Sequence, residues 1–301
     1  MPDSVRFRIA ALVIIGLIPL FFVDLGTWRR AFAPELHTFA HVGFFALLAW
    51  LAMQAPPLQS YRFPVRGGLV VLAALALGGT IELIQPWFGR SAGLQDLWQD
   101  LLGAMAAVAL NAPTVATRRA LGAVMAVILV AELYAPAISL WDRGVARIQF
   151  PVLSDFSTTF EHRRWSAGEP DDTVARIGER SLRVDLKPGR FSGTTLRRSL
   201  GDWSHYDTLE LSIYNPAAPL SITISIRDHD NAKRGGEYSD RFNRRFLLRP
   251  GWNDLAIAVD DVRNAPAQRQ QHLDDLAMLA IFTANLDEHR TLYLDRVRLS
   301  E

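Results

Sequence analysis

The sequence predicts a multi-domain chain: an all-α transmembrane helical bundle of about five helices, followed by an all-β jelly-roll sandwich. Three observations carry this prediction. Long apolar runs with few charges fill the first half. The second half is polar and rich in Arg, Asp and Glu, a contrast that the overall 50% of hydrophobic residues conceals. Such runs belong in hydrocarbon and their polar continuation does not. Third, from about Val152 apolar residues fall at every second position, the period of strands that bury one face. The expected domains are 1-143, helical, and 152-301, β.

The apolar spans come first. Five are expected, at about 8–25, 37–54, 67–86, 94–111 and 119–140, each near the ~20 residues that cross a bilayer core. Turn signals such as Gln54-Ala55-Pro56-Pro57 and Asn111-Ala112-Pro113 separate them. Arg6 and Arg8 precede the first run as they would in a signal peptide. Asp24-Leu25-Gly26-Thr27-Trp28 then stands where a small-residue cleavage site belongs, so the run reads as a retained helix. The fourth span is the most polar, opening with Gln95, Asp96, Gln99 and Asp100. With the N-terminus inside, cytoplasmic segments hold Arg6, Arg8, Arg62, Arg66, Arg118 and Arg119, and outer loops hold Arg29, Arg30 and Arg90. The positive-inside rule therefore favours a cytoplasmic N-terminus and puts everything after Trp141 outside.

The strands follow. Leu182, Val184 and Leu186 alternate with polar residues, as do Leu209, Leu211 and Ile213, then Ile222, Ile224 and Ile226. Leu255, Ile257 and Val259 repeat the pattern, and Leu292 with Leu294 close it. Asn215-Pro216, Gly235-Gly236 and Arg249-Pro250-Gly251 mark turns between them. Short, regularly spaced strands of this kind suggest a sandwich or jelly roll. Arg269–Leu276 alone reads as helical here. A net charge of +1 supplies no global basic field, so nucleic acid is not an expected partner. The absence of cysteine excludes disulfides, thiolate metal sites and cysteine nucleophiles.

Residues 82–103, ELIQPWFGRSAGLQDLWQDLLG, gather polar groups around the connection between two apolar segments. Ionisable groups at membrane depth are costly and usually face protein or water. Glu82 and Gln85 stand three apart on one helix face, Asp96, Asp100 and Gly103 recur at helical spacing, and Arg90 lies between. Read as a polar lock, Glu82 accepts from Arg90 and Asp96 caps the fourth helix. Read as a site, Arg90 holds a phosphate or carboxylate while Glu82 or His41 moves protons. Both readings stay open. His37 and His41 stand four apart with Glu82 and Asp96 as nearby acids, but no complete ligand motif is present, so a metal is not expected there. Glu132, near Pro136, either joins this network or lies at a helix interface.

His41 with Phe44, Glu82-Leu83-Ile84-Gln85, Arg90, Asp96 and Gly103 resemble the VanZ-like family of membrane proteins over residues 8–111. The chain departs from many members at Asp100, where they carry Asn. The resemblance implies a multi-pass protein of the bacterial cytoplasmic (inner) membrane, with the lipid bilayer as partner and a possible link to glycopeptide resistance. It implies no established activity.

The second half resembles galactose-binding-like jelly rolls, the fold of many carbohydrate-binding modules. The resemblance rests on Asp155-Phe156, on Trp203-Ser-His-Tyr-Asp-Thr-Leu-Glu-Leu-Ser-Ile-Tyr-Asn215, on Pro250-Gly251-Trp252-Asn253 and on Leu292-Tyr293-Leu294-Asp295. Ser221, Thr223, Ser225 and Arg227 oppose the apolar face of their strand and can line a groove, with Asp228, Tyr238, Arg241 and Asn243 close in sequence. The alternative is a solvated sheet face with a charged loop. Trp203 and Trp252 flank turns and read as core. The resemblance also implies a possible structural calcium, for which Asp155 and Asp295 are the candidate ligands; both equally suit turn capping.

The expected function is therefore recognition of a cell-envelope glycan or lipid-linked head group. The alternatives are a membrane hydrolase or transferase acting on such a lipid through His41, Glu82 and Asp96, or a structural envelope anchor. No Gly-x-Ser-x-Gly nucleophile signature appears, which favours binding over catalysis.

Overall fold

The structure, a computed structural model, describes residues 27–88, 93–198 and 200–301, with side chains of the first helix from Glu35 onward. The chain forms two compact units, Met1–Leu140 and Trp141–Glu301.

Four long helices dominate the first part of the chain: α1 (Thr27–Gln54), α2 (Phe63–Ile84), α3 (Leu94–Leu110) and α4 (Val115–Gln149). A single turn, Pro56–Gln59, joins α1 to α2, and a 3₁₀ turn, Gln85–Phe88, extends α2. Proline in the first turn opens both Pro56–Gln59 and α2, where the missing N–H has no helical partner to lose. Packing centres on α3, which contacts both α1 and α2. Small residues permit the approach. Ala104, Ala106, Ala107 and Ala109 are buried, and a Cβ at Gly103 would overlap the Val42 carbonyl of α1. Small side chains at helix contacts let the backbones approach closely. Phe44, Phe45, Met53, Val70 and Ile81 fill the remaining core.

Three helical stretches are long and apolar enough to cross a membrane by length and composition: Glu35–Gln54, Phe63–Phe88 and Val115–Gln149. They correspond to the second, third and fifth expected spans. The expected first span lies outside the described residues. The expected fourth becomes α3, whose 17 residues include Asp96 and Asp100 and which is not among the three. Two helix limits differ from expectation. Helix α1 begins at Thr27, within the expected loop, and α4 runs past Pro136 to Gln149.

The second unit is an antiparallel sandwich of ten strands among the described residues: β1 (Val152–Ser154), β2 (Glu169–Asp171), β3 (Ser181–Leu186), β4 (Gly189–Leu196), β5 (Thr208–Asn215), β6 (Leu220–Asp228), β7 (Phe242–Leu248), β8 (Gly251–Ala258), β9 (Leu276–Leu286) and β10 (Arg290–Ser300). One sheet has the order β2-β3-β10-β5-β8, with β1 on the far end of β10; the other is β4-β9-β6-β7. Alternating residues of both sheets meet in one core. Leu182, Val184, Leu209, Leu211, Ile213, Ile222, Ile224, Ile226 and Leu294 are all buried, together with Trp203. Trp203 donates its indole N–H to the Leu200 carbonyl at 2.7 Å, satisfying the one polar atom the ring brings inside. The expected helix over Arg269–Leu276 is absent, and Leu276 instead opens β9. Arg269 is drawn into ion pairs with Asp228 and Asp240, a tertiary pull that overrides local helical spacing.

Within this unit the helix end and the first strand are locked together. Arg164, itself buried, pairs bidentately with Asp142 at 2.8–3.0 Å and donates to the Leu153 carbonyl and Gln149. Glu161, fully buried, accepts the backbone N–H groups of Asp155 and Phe156.

Candidate functional site

Two polar constellations stand out, one in each unit. In the helical unit, His41 is completely buried and its Nδ1 meets Asp100 Oδ1 at 2.6 Å. A carboxylate only accepts, so His41 Nδ1 is the donor. His41 Nε2 then faces His37 Nε2 at 3.1 Å, and His37 Nδ1 lies 3.7 Å from Asp96 Oδ1. The pairs reach each other because both occupy i,i+4 positions: His37 and His41 on α1, Asp96 and Asp100 on α3. Asp100 enters from α3 because α2 carries Gly78, where a Cβ would overlap Asp100 Oδ2. Glu82 is buried at the end of α2 and accepts the backbone N–H of Gly93 at 2.5 Å. That N–H belongs to the N-cap of α3, so a carboxylate from a neighbouring helix meets the positive end of its dipole.

The structure therefore gathers His41, Glu82, Asp96 and Asp100, adds His37, and buries Gln85 in the adjoining turn. Arg90 lies outside the described residues. One expectation changes. Gly93, not Asp96, is the N-cap of α3; Asp96 sits one turn in and is directed at His37. Glu132 accepts from Gln95 at 2.6 Å and Trp98 at 3.4 Å, tying α4 to α3.

In the sandwich, the register of the four-stranded sheet sets out its outer face. Ser225 of β6 is opposite Asn243 of β7 and Ala280 of β9, which is opposite Thr195 of β4. The next row is Arg245, Thr223, Phe282 and Gly193. Arg227 extends the face beside Met278. Ser225 Oγ and Asn243 Oδ1 are buried atoms with no hydrogen-bond partner among the described residues, as are the Nε atoms of Arg227 and Arg241. Burial, then the charges of Arg241 and Arg197, make the Arg227 guanidinium less basic than usual. Like charges collect here with no carboxylate paired to them among the described residues. Arg241 lies over the ring of Tyr238 at 5.6 Å, and that ring is 68% exposed. Phe191, also exposed, packs edge-on against Phe282.

The loop carrying Tyr238 is held from beneath. Asp228 was expected on this groove; it is fully buried instead. It accepts from Arg269, from the backbone N–H of His272 and from that of Asn231, whose short helix it caps. Burial raises the Asp228 pKa, but these hydrogen bonds and the Arg269 charge outweigh it and hold the group at about 2. Arg269 also grips Asp240, and Asn231 donates to the carbonyls of Glu237 and Asp240. Asp228 is therefore a support for the loop and makes no groove contact.

Asp155 is close enough to Asp295 to act on its charge, and the oxygens of both are turned to hydrogen donors. Asp295 accepts backbone N–H from Arg176 at 2.6 Å, Ile177 at 3.1 Å and Arg296 at 2.7 Å. Asp155 accepts from the Ser157 N–H at 3.0 Å. Burial, with Asp155 adding to it, raises the Asp295 pKa despite those donors. Amide hydrogens aimed at both oxygens suit a turn anchor and do not fit a calcium held by this carboxylate.

Sequence reasoning missed one feature. On the outer face of the larger sheet, Trp252, Tyr214 and Tyr293 stand in one row across β8, β5 and β10, with ring centroids 5.3 Å and 6.0 Å apart. Their alternation with buried residues was visible; their alignment required the strand register. Trp252, expected in the core, is half-buried on this surface and lies under Arg176.

No protein-family model matches the chain, and no curated protein matches it. Among solved structures, a family 11 carbohydrate-binding module from Clostridium thermocellum, in complex with a β-1,3-1,4-mixed-linked tetrasaccharide, is 14% identical with a TM-score of 0.37, covering 50% of this chain and 94% of that one. A family 30 module of a cellulosomal cellulase of Clostridium thermocellum is 18% identical with a TM-score of 0.35, covering 45% and 82%. An exo-β-agarase is 14% identical with a TM-score of 0.39, covering 50% and 24%. Likeness at this level specifies neither a ligand nor a site.

Proposed function

We propose that the chain is a VanZ-like integral membrane protein of the bacterial cytoplasmic membrane whose extracytoplasmic sandwich docks on a cell-envelope glycan or a lipid-linked glycan head group. The VanZ-like part of this reading rests on the motif residues alone. The membrane part is supported by the three long apolar helices and by α4, whose Val124, Val127, Val130 and Tyr134 are exposed. An exposed apolar stripe of that length calls for a lipid or protein cover.

The observation that carries the docking reading is the outer face of the four-stranded sheet. There Ser225 and Asn243 present buried hydrogen-bonding atoms without partners among the described residues, flanked by Arg227 and Arg241 and edged by the exposed Tyr238 ring. Unpartnered polar atoms next to an aromatic face are what a hydroxyl-rich ligand satisfies: buried polar groups need partners, and an aromatic ring supplies an apolar floor. Glycan binding places the oligosaccharide on this face, with the arginines addressing acidic substituents.

The experiment is a binding screen of the fragment Trp141–Glu301 against neutral and acidic glycans and peptidoglycan fragments. The proposal expects saturable binding that Arg227→Ala or Tyr238→Ala weakens. A folded fragment that binds no member of the panel contradicts it.

A further inference from the structure

The helical unit carries a second site that the docking reading does not use. We infer that His37, His41 and Asp96 bind a divalent transition metal of the zinc class. The donor set suits the ion: two imidazole nitrogens and one carboxylate oxygen are ligands for zinc and its neighbours, and poor ones for calcium. The geometry suits it too. Each of the three residues offers one ligand atom, and those atoms lie within 4.8 Å of one another. The facing Nε2 atoms of His37 and His41 are already 3.1 Å apart. Tetrahedral zinc at ~2.0–2.1 Å from two nitrogens holds them roughly 3.4 Å apart. Asp96 Oδ1 lies 3.7 Å from His37 Nδ1, and rotating the Asp96 side chain toward the Nε2 atoms would complete the set.

The surroundings are built as they are around metal-binding histidines. Asp100 accepts the Nδ1–H of His41 at 2.6 Å, so in the neutral ring the lone pair is on Nε2, the nitrogen that faces His37. A carboxylate behind a ligating imidazole fixes its tautomer and ring angle and raises its basicity. Asp100 is thus a positioning residue, and Gly78 provides its space. His41 and Asp100 are nearly inaccessible, whereas the side chains of His37 and Asp96 are 24% and 20% exposed, leaving an entry path. Glu82 lies close enough to interact with His41, Asp96 and Asp100, and its Oε1 is buried with no hydrogen-bond partner among the described residues. A divalent cation offsets carboxylates gathered in an apolar bundle, where isolated negative charge is expensive. Three protein ligands leave a fourth position for water or a ligand atom.

The test uses the full chain in detergent micelles, stripped with chelator, loaded with zinc, freed of excess, and assayed for metal content. A parallel sample takes cobalt(II) and is read by visible absorption. The inference expects about one zinc per chain, and cobalt bands typical of tetrahedral nitrogen and oxygen ligation. His37→Gln and Asp96→Asn alter partly exposed side chains and should each weaken zinc binding at least ~10-fold, with Asp100→Asn costing ~10–100-fold through His41 alone. Retention of under about a tenth of an equivalent by the folded wild type overturns it and leaves a metal-free Asp–His–His–Asp hydrogen-bonded chain. So does a folded His37→Gln that binds zinc as tightly as wild type. Should both ligand variants misfold, the wild-type cobalt spectrum decides, and octahedral bands of aqueous cobalt count against the site.

Discussion

Arg164 offers the sharpest test of how the sandwich is held. Its side chain is 1% exposed and makes three close contacts to Asp142, one to the Leu153 carbonyl and one to Gln149. Replacing it with Ala in the fragment Trp141–Glu301 removes these five hydrogen bonds and strands the Asp142 carboxylate at a largely buried position. Breaking one partner of a buried, hydrogen-bonded pair costs about 3–5 kcal/mol. With an m-value of about 2 kcal/mol/M for a domain of this size, the urea midpoint should fall by about 2 M. The buried indoles of Trp165 and Trp203 report the transition by fluorescence. Arg164→Met combined with Asp142→Leu should recover part of the loss: the apolar pair needs no partner, but the buried Glu161 carboxylate, 3.8 Å from Arg164, still loses its ion pair. A midpoint for Arg164→Ala within about 0.5 M of the parent, about 1 kcal/mol, would refute the buried-pair account.

Other outcomes follow from the same structure. Asp228 sits at about 2 in the folded chain against an ordinary 3.8. A depressed carboxylate contributes its stability in full above the unfolded value near pH 4 and loses it as pH falls through about 2, a change of about 2 kcal/mol. The stability difference between the parent fragment and Asp228→Asn should therefore shrink by about that amount between pH 5 and 2; a constant difference sinks the assignment. If the chain makes the five crossings its sequence leads us to expect from an inside N-terminus, reporter fusions after Leu110 and after Gln149 should read cytoplasmic and extracytoplasmic respectively. The opposite pattern overturns the topology.

Much of the sandwich was legible because its strands bury one face. Period-two runs mark β3, β5, β6, β8 and β10, and the Asn215-Pro216 and Arg249-Pro250-Gly251 signals fall in the turns that join β5 to β6 and β7 to β8. The strands that escaped notice lack the pattern for physical reasons. Strand β9, LAMLAIFTANL, lies inside its sheet between β4 and β6 and is apolar almost throughout, and a continuous apolar run has no period to read. Strand β4 begins with an exposed GRF and carries small residues. The helix expected at Arg269–Leu276 was defeated by ion pairs to Asp228 and Asp240, 41 and 29 residues away.

The helical cluster was legible as a set and not as a geometry. His41 meets Asp100 across 59 residues, a pairing that the close packing at Gly78 and Gly103 sets and that no local spacing announces. For the same reason the sequence showed no metal motif: its two histidines and its carboxylate come from different helices. On the groove, Ser225 and Arg227 were singled out by strand alternation and Asn243 by its closeness in sequence, whereas the burial of Asp228 depended on Arg269.

The most direct test of glycan docking is calorimetric titration of the Trp141–Glu301 fragment with the tightest glycan from the screen, comparing three variants. Loss of a charge-assisted hydrogen bond costs about 1.5–3 kcal/mol, so Arg227→Ala should weaken binding at least ~10-fold. Tyr238→Ala should also weaken it, while Trp252→Ala, on the opposite sheet, should leave it unchanged. Full affinity in Arg227→Ala and Tyr238→Ala, with loss in Trp252→Ala, would place the ligand on the Trp252–Tyr214–Tyr293 row and contradict docking on the four-stranded sheet.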